Sequence, residues 1–495
     1  MDRDFNDQEL IRRKKLKKLQ LDGHDPFLIQ KFTRNYTSAS FKTAFKDATK
    51  ESLHDDKTPI IVSGRVMAIR QSFVVIKDFY GTVQLYVGKD GIDEQTRNTF
   101  NDLDIGDIIG VHGTPMKTNT NEATVRVKQI TLLSKALKPL PEKFHGLVDE
   151  EERARRRYVD LIVNEQSFKT FVTRSKIISI IRKFMEKQDF IEVETPVLQA
   201  IHGGAAARPF ITKHNTLNRN FYLRVATELH LKRLIVGGME KVFEIGRVFR
   251  NEGMDTTHNP EFTSMEAYWA YVTMYDWMKL TQKLFKKIAS ELGLVKITFK
   301  GVDLDFSKPF KKINMVDFIK QEAGVNFDRE IKTDEEALAL AKKFNIKVED
   351  HQRTRGHIIN LFFEEFCEKK CQQPTFVYGH PIEISPLAKK HEKDPRYTER
   401  FELFICGKEF ANSFTELNDP IDQYERFKSQ VEESKKGNDE ANEMDLDFVE
   451  ALEYGMPPTG GIGIGIDRLT MMFTNNESIR NVLLFPHMRD RGDHE

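Results

Sequence analysis

Apolar and polar positions alternate through residues 59–134 in five runs: PIIVSGRVMAIR, SFVVIKD, TVQLYVG, DIIGVHG and ATVRVKQITLL. A period of two marks strands with one buried face, and the Gly and Asp residues between several runs supply turns. Residues 93–102 break the alternation and predict a helix between the third and fourth strands. Five strands with a helix in that place fit an OB-fold, a small barrel that binds single-stranded nucleic acid, although another small β-barrel satisfies the same pattern.

Helical spacing dominates at the N-terminus. ELIRRKKLKKLQ (9–20) brings Leu10, Ile11, Leu16 and Leu19 near one another on a helix, and six of the seven residues from Arg12 to Lys18 are basic. Such a run is either a solvated face or a helix that rests on nucleic-acid phosphates. Pro139, Pro141 and DEEERARRR (149–157) predict a linker and a helix start. From residue 168 strands and helices mix without a βαβ rhythm, and neither GxGxxG nor GxxxxGK[ST] occurs. Antiparallel pairs are expected for 241–250 with 259–271 and for 400–406 with 409–417. The fold class is therefore α+β, with a barrel followed by a domain built on an antiparallel sheet flanked by helices. The expected division is 1–50 for the basic helix and extension, 51–140 for the barrel and 141–165 for the linker. Residues 166–495 form the second domain, with a helical insertion at about 333–371.

Composition narrows the function classes. The chain has 495 residues, 39% hydrophobic and 31% charged, with 76 Lys+Arg against 76 Asp+Glu. That is a soluble globular protein of several domains and not a polybasic coat for nucleic acid. Three cysteines make no disulfide framework, and Cys367, Cys371 and Cys406 give no paired CxxC zinc signature. MDRDFNDQEL is charged where a signal peptide is apolar, and no run approaches the length of a membrane span. A cytoplasmic location is expected, with no membrane partner.

Three segments carry candidate chemistry. In KVFEIGRVFRNEGMDTTHNPEFTSMEAYWAY (241–271), alternation places Phe262, Ser264, Glu266 and Tyr268 on one face. Arg250 ends the preceding strand, and Glu252 and His258 lie in the loop. Singly, each residue is more often structural. Together they suit a nucleotide: a ring face for adenine, a forked donor for phosphate, and a second donor in His258. In RFELFICGKEFANSFTELND (400–419), alternation aligns Asn412, Phe414 and Glu416, with Gly407 and Lys408 as the expected turn. Glu402 and Glu409 flank that turn and are either solvated edge carboxylates or oxygen ligands for Mg²⁺. In PPTGGIGIGIDRLTMMF (457–473), Gly461, Gly463 and Gly465 alternate with Ile462, Ile464 and Ile466, so one face is bare backbone, and Arg468 follows.

These segments resemble the signature motifs of class II aminoacyl-tRNA synthetases, and the chain is similar to the bacterial-type lysyl-tRNA synthetase family from about residue 8 to 489. DFIEVETPVL (189–198) resembles the first motif, FRNE (249–252) through HNPEFTSME (258–266) the second, and GGIGIGIDR (460–468) the third. KALKPLPEKFHGL (135–147), IHGGAAARPF (201–210), ATELHLKRLIVGG (226–238) and FANSFTELND (410–419) resemble the lysyl subfamily in particular. The resemblance implies an ATP- and Mg²⁺-dependent ligase. Lysine is activated to lysyl-adenylate and then transferred to the 3′-terminal adenosine of tRNA(Lys) by a homodimeric enzyme.

By matching motifs, Arg250 bridges the α-phosphate and the substrate carboxylate, and Glu252 meets the adenine amino group. His258, Asn259 and Arg468 belong to the ATP site, where Phe262 and Arg468 sandwich the adenine. Glu402 and Glu409 match the Mg²⁺ ligands. Glu228 and the Gly204 backbone match the α-ammonium site, and Glu416 and Tyr268 the ε-ammonium site. Glu266, Asn412 and Phe414 complete the pocket. Three carboxylates there favour a cationic substrate. In the barrel, Phe73 and Gln84 match anticodon-binding positions, with Arg70 a further candidate and Arg65 its alternate. Two departures stand out. Asp189 replaces the glycine common in the first motif, and the segment between Arg65 and Phe73 is several residues shorter than in many members. The competing readings are an aspartyl or asparaginyl synthetase, a protein-lysylating paralogue that lacks the barrel, and a non-catalytic tRNA-binding relative.

Overall fold

The alternating runs close a sheet on itself. In a computed structural model that describes residues 4–141, 147–438 and 440–490, strands Ile60–Arg70, Phe73–Asp78, Gly81–Tyr86, Ile108–Lys117 and Ala123–Ser134 form a closed barrel. The third and fifth strands complete it as a parallel pair, Gln84 opposite Thr124. Val62, Val66, Val74, Ile76, Val83, Leu85, Ile109 and Val111 fill its interior. The helix expected at 93–102 spans Glu94–Asp102, started by Asp93, which accepts from the Thr96 N–H. The strand break after Arg70 is a two-residue turn, with Gln71 at φ +48° and Arg70 paired with Phe73.

The N-terminal helix, Asp7–Leu21, differs from its apolar reading. Leu10 and Ile11 are exposed, whereas Glu9 and Arg12 are buried. Arg12 donates to the carbonyls of Ile105, Ala136 and Lys138, and Lys15 pairs with Asp104 at 2.9 Å. Guanidinium donors satisfy loop carbonyls that an apolar stripe would leave unpaired, so polar contacts hold this helix. Part of the basic run is therefore spent within its own unit.

The chain divides into two units, Met1–Val148 and Asp149–Glu495. Part of the expected linker and of the KALKPLPEKFHGL stretch falls on 142–146, outside the described residues, as do 1–3, 439 and 491–495. The second unit is built on an eight-stranded sheet. Both expected hairpins are present, Lys241–Phe249 with Glu261–Ala270 and Arg400–Ile405 with Lys408–Thr415. The glycine-rich strand Thr459–Gly465 lies between them and pairs antiparallel with both. The sheet is mixed and not wholly antiparallel. Ile191–Glu192 runs parallel to Lys241–Phe249 at one edge, and Lys311–Asn314 parallel to Thr375–Tyr378 at the other. The turn at the second hairpin is Cys406–Gly407, not Gly407–Lys408. Both residues have positive φ, +50° and +65°, as a tight two-residue hairpin loop requires.

One face of this sheet packs on helices Glu165–Glu186, Met274–Leu292 and Ile466–Phe473 through Met265, Ala267, Ile462, Ile464, Leu403 and Ala411. Trp277 is in this core and Trp269 packs against it. Helices Met315–Ala323, Asp334–Lys343 and Arg355–Phe366 build a separate core around Phe327, Phe362 and Phe363. The helical block thus starts before residue 333. Asp189 adopts φ +63°, the left-handed geometry that the glycine it replaces adopts without strain.

Candidate active site

Register across the sheet assembles the site from segments far apart in sequence. Glu266 lies opposite Gly463, Gly463 opposite Asn412, and Asn412 opposite Glu402. Two residues along, Tyr268, Gly461, Phe414 and Arg400 form a parallel row. Each row has a glycine between bulky neighbours, which opens room above the sheet on the face away from the helical core. The resulting cleft has a volume of about 670 Å³. It is lined by every residue expected for the catalytic half: Gly204, Glu228, Arg250, Glu252, His258, Asn259, Phe262, Glu266, Tyr268, Glu402, Glu409, Asn412, Phe414, Glu416 and Arg468.

The glycines differ in role. A Cβ on Gly461 would lie 2.1 Å from Glu416 Oε1 and 2.5 Å from the Tyr268 ring, so that position admits no side chain. On Gly463 the nearest atom would be 3.8 Å away, and on Gly465 4.0 Å, so both keep their faces open to the cleft.

At the nucleotide end the Arg250 guanidinium sits 5.1 Å from the Phe262 ring centroid, and Arg250 Nε is buried without a hydrogen-bond partner. Arg468 donates to the Glu409 carbonyl at 2.7 Å and has the Glu409 carboxylate at 3.8 Å. His258 Nδ1 lies 2.8 Å from Asp255 Oδ2. Burial pushes the Asp255 carboxyl up, but hydrogen bonds from His258 and Thr257 outweigh it and hold it well below the usual range. Asp467, buried beside Arg468, takes the Thr263 N–H at 2.6 Å and pairs with Arg174 at 2.5 Å, which anchors the start of the helix that carries Arg468.

The pair Glu402 and Glu409 has the donor chemistry expected of a cation site. Burial raises Glu402, but Arg400 at 2.6 Å and His380 at 3.5 Å overcome that and hold it at about 2. Glu409 is pushed up by burial and by the charge of Glu402. A divalent cation held by these two carboxylates would relieve that repulsion, so the donor chemistry fits Mg²⁺. Among the described residues no group of three or more His, Cys, Asp or Glu is placed to hold a metal. Two carboxylates suffice for Mg²⁺, which keeps waters and phosphate oxygens as its remaining ligands.

The other end is a buried acidic pocket. Glu228, Glu266 and Glu416 are 7%, 9% and 0% exposed. Glu266 accepts from the Thr227 N–H at 3.1 Å and from the Tyr268 hydroxyl at 3.4 Å. Burial, then the charge of Glu228, pushes Glu266 up to about 7. Burial raises Glu416 well above its ordinary value despite Lys232 beside it, and its Oε1 has no hydrogen-bond partner. Burial and the same three carboxylates push the Tyr268 phenol up. Gly204, at φ +90°, gives its N–H to Asn442.

Three contributors escaped the sequence reading. Lys232 pairs with both Glu228 and Glu416. Its signal was the Glu-to-Lys spacing of four on one helix. Arg400 joins Glu402 to Asn412 Oδ1, and its signal was the spacing of two from Glu402 along one strand. The helical block supplies His351, His357 and Glu364 to the cleft. Nothing in their sequence marked them.

In the barrel, Phe73 and Gln84 share one outward face with Tyr86, the two rings 5.2 Å apart, and Gln84 Oε1 accepts from Thr124. Arg70 is at the strand end, while Arg65 donates to the Gly106 carbonyl, which leaves Arg70 the more available of the two.

Residues 149–489 match the family described as tRNA synthetases class II (D, K and N), and residues 60–133 match the OB-fold nucleic acid binding domain. That description leaves three specificities open. The lysine–tRNA ligase of Malacoplasma penetrans is 60% identical over 492 residues, covering 99% of this chain and 100% of the relative. The chain belongs to the lysine–tRNA ligase family. The ligase of Ureaplasma urealyticum serovar 10 is 57% identical over 99% of this chain and all of its own length. That of Enterococcus faecalis is 55% identical, with 98% of both chains covered. Membership settles the barrel as an OB-fold and sets aside the aspartyl, asparaginyl and non-catalytic readings. It also agrees with the acidic pocket, since a family that takes lysine needs anions where an aspartyl enzyme needs a cation. No helix among the described residues is long and apolar enough to cross a membrane.

Proposed function

We propose that in this lysine–tRNA ligase the cleft residues act as follows. Lysine enters with its ε-ammonium between Glu416 and Tyr268 and its α-ammonium on Glu228 and the Gly204 backbone. Arg250 draws the lysine carboxylate and the ATP α-phosphate together. Glu252 meets the adenine amino group, Phe262 and Arg468 enclose the ring, His258 and Arg468 hold the outer phosphates, and Asn259 completes the ATP site. A carboxylate oxygen of lysine attacks the α-phosphorus, the bond to the bridging oxygen breaks, and pyrophosphate leaves. The lysyl group then passes from the adenylate to the 3′-terminal adenosine of tRNA(Lys), releasing AMP. Positioning and charge neutralisation carry this chemistry, with little acid–base work. Mg²⁺ on Glu402 and Glu409 supplies further positive charge against the phosphates.

The observation that carries the reading is the buried trio Glu228, Glu266 and Glu416 with Glu416 Oε1 unpartnered. An isolated buried carboxylate costs several kcal/mol, to order of magnitude, until a cation meets it. Phe73 stacks and Gln84 reads an anticodon base, with Arg70 beside them on the barrel at 51–140. Ile191, Val197 and Leu198 are exposed near the edge strand of the first motif, which supports a homodimer formed through it. The enzyme works in the cytoplasm.

The test is amino-acid-dependent exchange of labelled pyrophosphate into ATP with Mg²⁺ and no tRNA. Exchange with lysine, and none with aspartate or asparagine, is expected. Exchange with aspartate sinks the pocket assignment, and a folded protein that exchanges with none sinks the activity.

A further inference from the structure

Lys232 is the unexplained charge of the pocket. It lies on helix Glu228–Val236, is 0% exposed, and is held between two carboxylates assigned to two different ends of the substrate. Its ammonium is 2.5 Å from Glu228 Oε1 and in contact with Glu416 Oε2. The Phe414 and Phe448 ring centroids lie 5.4 Å and 6.0 Å from it, so it is packed in place. Glu416 therefore divides its oxygens. Oε2 faces Lys232, while Oε1 is unpartnered and lies toward Gly461 and Tyr268, which line the cleft.

Charge counting gives this arrangement a purpose. With the pocket occupied by a cation and all three carboxylates ionised, Glu228, Glu266 and Glu416 against one ammonium leave two formal negative charges. Free lysine brings two ammonium groups, and its carboxylate is met by Arg250. We propose that Lys232 is a specificity-determining positioning residue of the pocket: it ties Glu228 to Glu416 and sets the pocket charge to match the two ammonium groups of lysine. The proposal rests on the lysine reading above. An amino acid with a neutral side chain leaves one charge uncompensated among buried carboxylates, and that mismatch rejects it. Lys232 touches no reacting atom and acts through the two carboxylates.

The test is pyrophosphate exchange with the full-length protein, comparing wild type, K232M, E416Q and the double variant K232M/E416Q, with folding followed by tryptophan fluorescence. K232M is expected to raise the KM for lysine about tenfold or more, with the KM for ATP within about twofold, because only the amino-acid pocket loses its charge match. In the E416Q background, K232M is expected to add less than about threefold, since the pair acts as a unit. An unchanged lysine KM in folded K232M overturns the proposal. So does a full, additive loss in the double variant, which marks Lys232 as merely structural. Should K232M alone fail to fold, the double variant against E416Q decides the same question, because only Glu228, and not both carboxylates, then loses its ammonium partner. A wild-type control without lysine-dependent exchange instead overturns the proposed function itself.

Discussion

Replacing Glu266 by glutamine separates what the pocket costs from what it binds. The carboxyl is buried, its ordinary value is 4.5, and burial beside Glu228 raises it to about 7. The empty folded protein therefore holds a proton here that the unfolded chain has already lost. Stability from this group is fully present below about pH 4.5 and is lost as pH rises through about 7. The loss amounts to about 3 kcal/mol at pH 8 and less than about 1 kcal/mol at pH 5. Glutamine carries no such titration, and its carbonyl oxygen can still accept the Thr227 N–H that now reaches Glu266 at 3.1 Å. E266Q is expected to flatten the fall in stability between pH 5 and pH 8 by about 2–3 kcal/mol. Its kcat/KM for lysine is expected to drop by about 10–100-fold, as a lost buried ionic contact does. Trp269 and Trp277 both belong to the unit that carries the site and pack in or against its core. Urea unfolding followed by tryptophan fluorescence at several pH values thus reports on that unit alone. Equal pH slopes for the two proteins would refute the buried-proton reasoning, and an unchanged lysine KM would remove Glu266 from the pocket.

Gly461→Ala puts a methyl where Glu416 Oε1 and the Tyr268 ring already stand, at 2.1 Å and 2.5 Å; lysine-dependent exchange is expected to be lost while ATP binding, measured by calorimetry, survives. Asp467→Asn leaves Arg174 without its buried partner. It should cost about 3–5 kcal/mol in urea unfolding and raise the KM for ATP through displacement of Arg468, and a loss below about 1 kcal/mol would contradict the anchoring role. Phe73→Ala removes a half-buried ring on the outer face of the barrel; it is expected to weaken tRNA(Lys) binding by about 1–3 kcal/mol in a filter-binding assay and leave pyrophosphate exchange untouched.

Much of the site was readable because strand alternation assigns faces without knowledge of partners. Phe262, Glu266 and Tyr268, and then Asn412, Phe414 and Glu416, could be grouped that way. Alternation says nothing about which residue lies opposite which. The rows that join Glu266 to Glu402 across Gly463 depend on register, which packing sets. Lys232 stayed hidden because a lysine on a helix normally faces water; only its two buried carboxylates make a buried ammonium tolerable. Arg12 misled in the same direction, since a basic run reads as solvated until its carbonyl partners are seen. The parallel edge strands escaped because Ile191–Glu192 and Lys311–Asn314 are too short for any pattern to form.

On the proposed assignment, the strand Glu261–Ala270 carries the adenine ring face at Phe262 and the far wall of the lysine pocket at Tyr268, six residues apart. At about 3.3 Å per residue that is a span of about 20 Å along one rigid element. With those roles it would work as a molecular ruler: the base at one end, the ammonium at the other, and the reacting carboxylate between them. Paired on both sides, the strand cannot slide by one residue without turning every site residue into the helical core. A shorter cationic amino acid such as ornithine is therefore expected to fail by reach and not by charge. Selectivity in this protein can be retuned by exchanging side chains along the ruler, but not by changing its length.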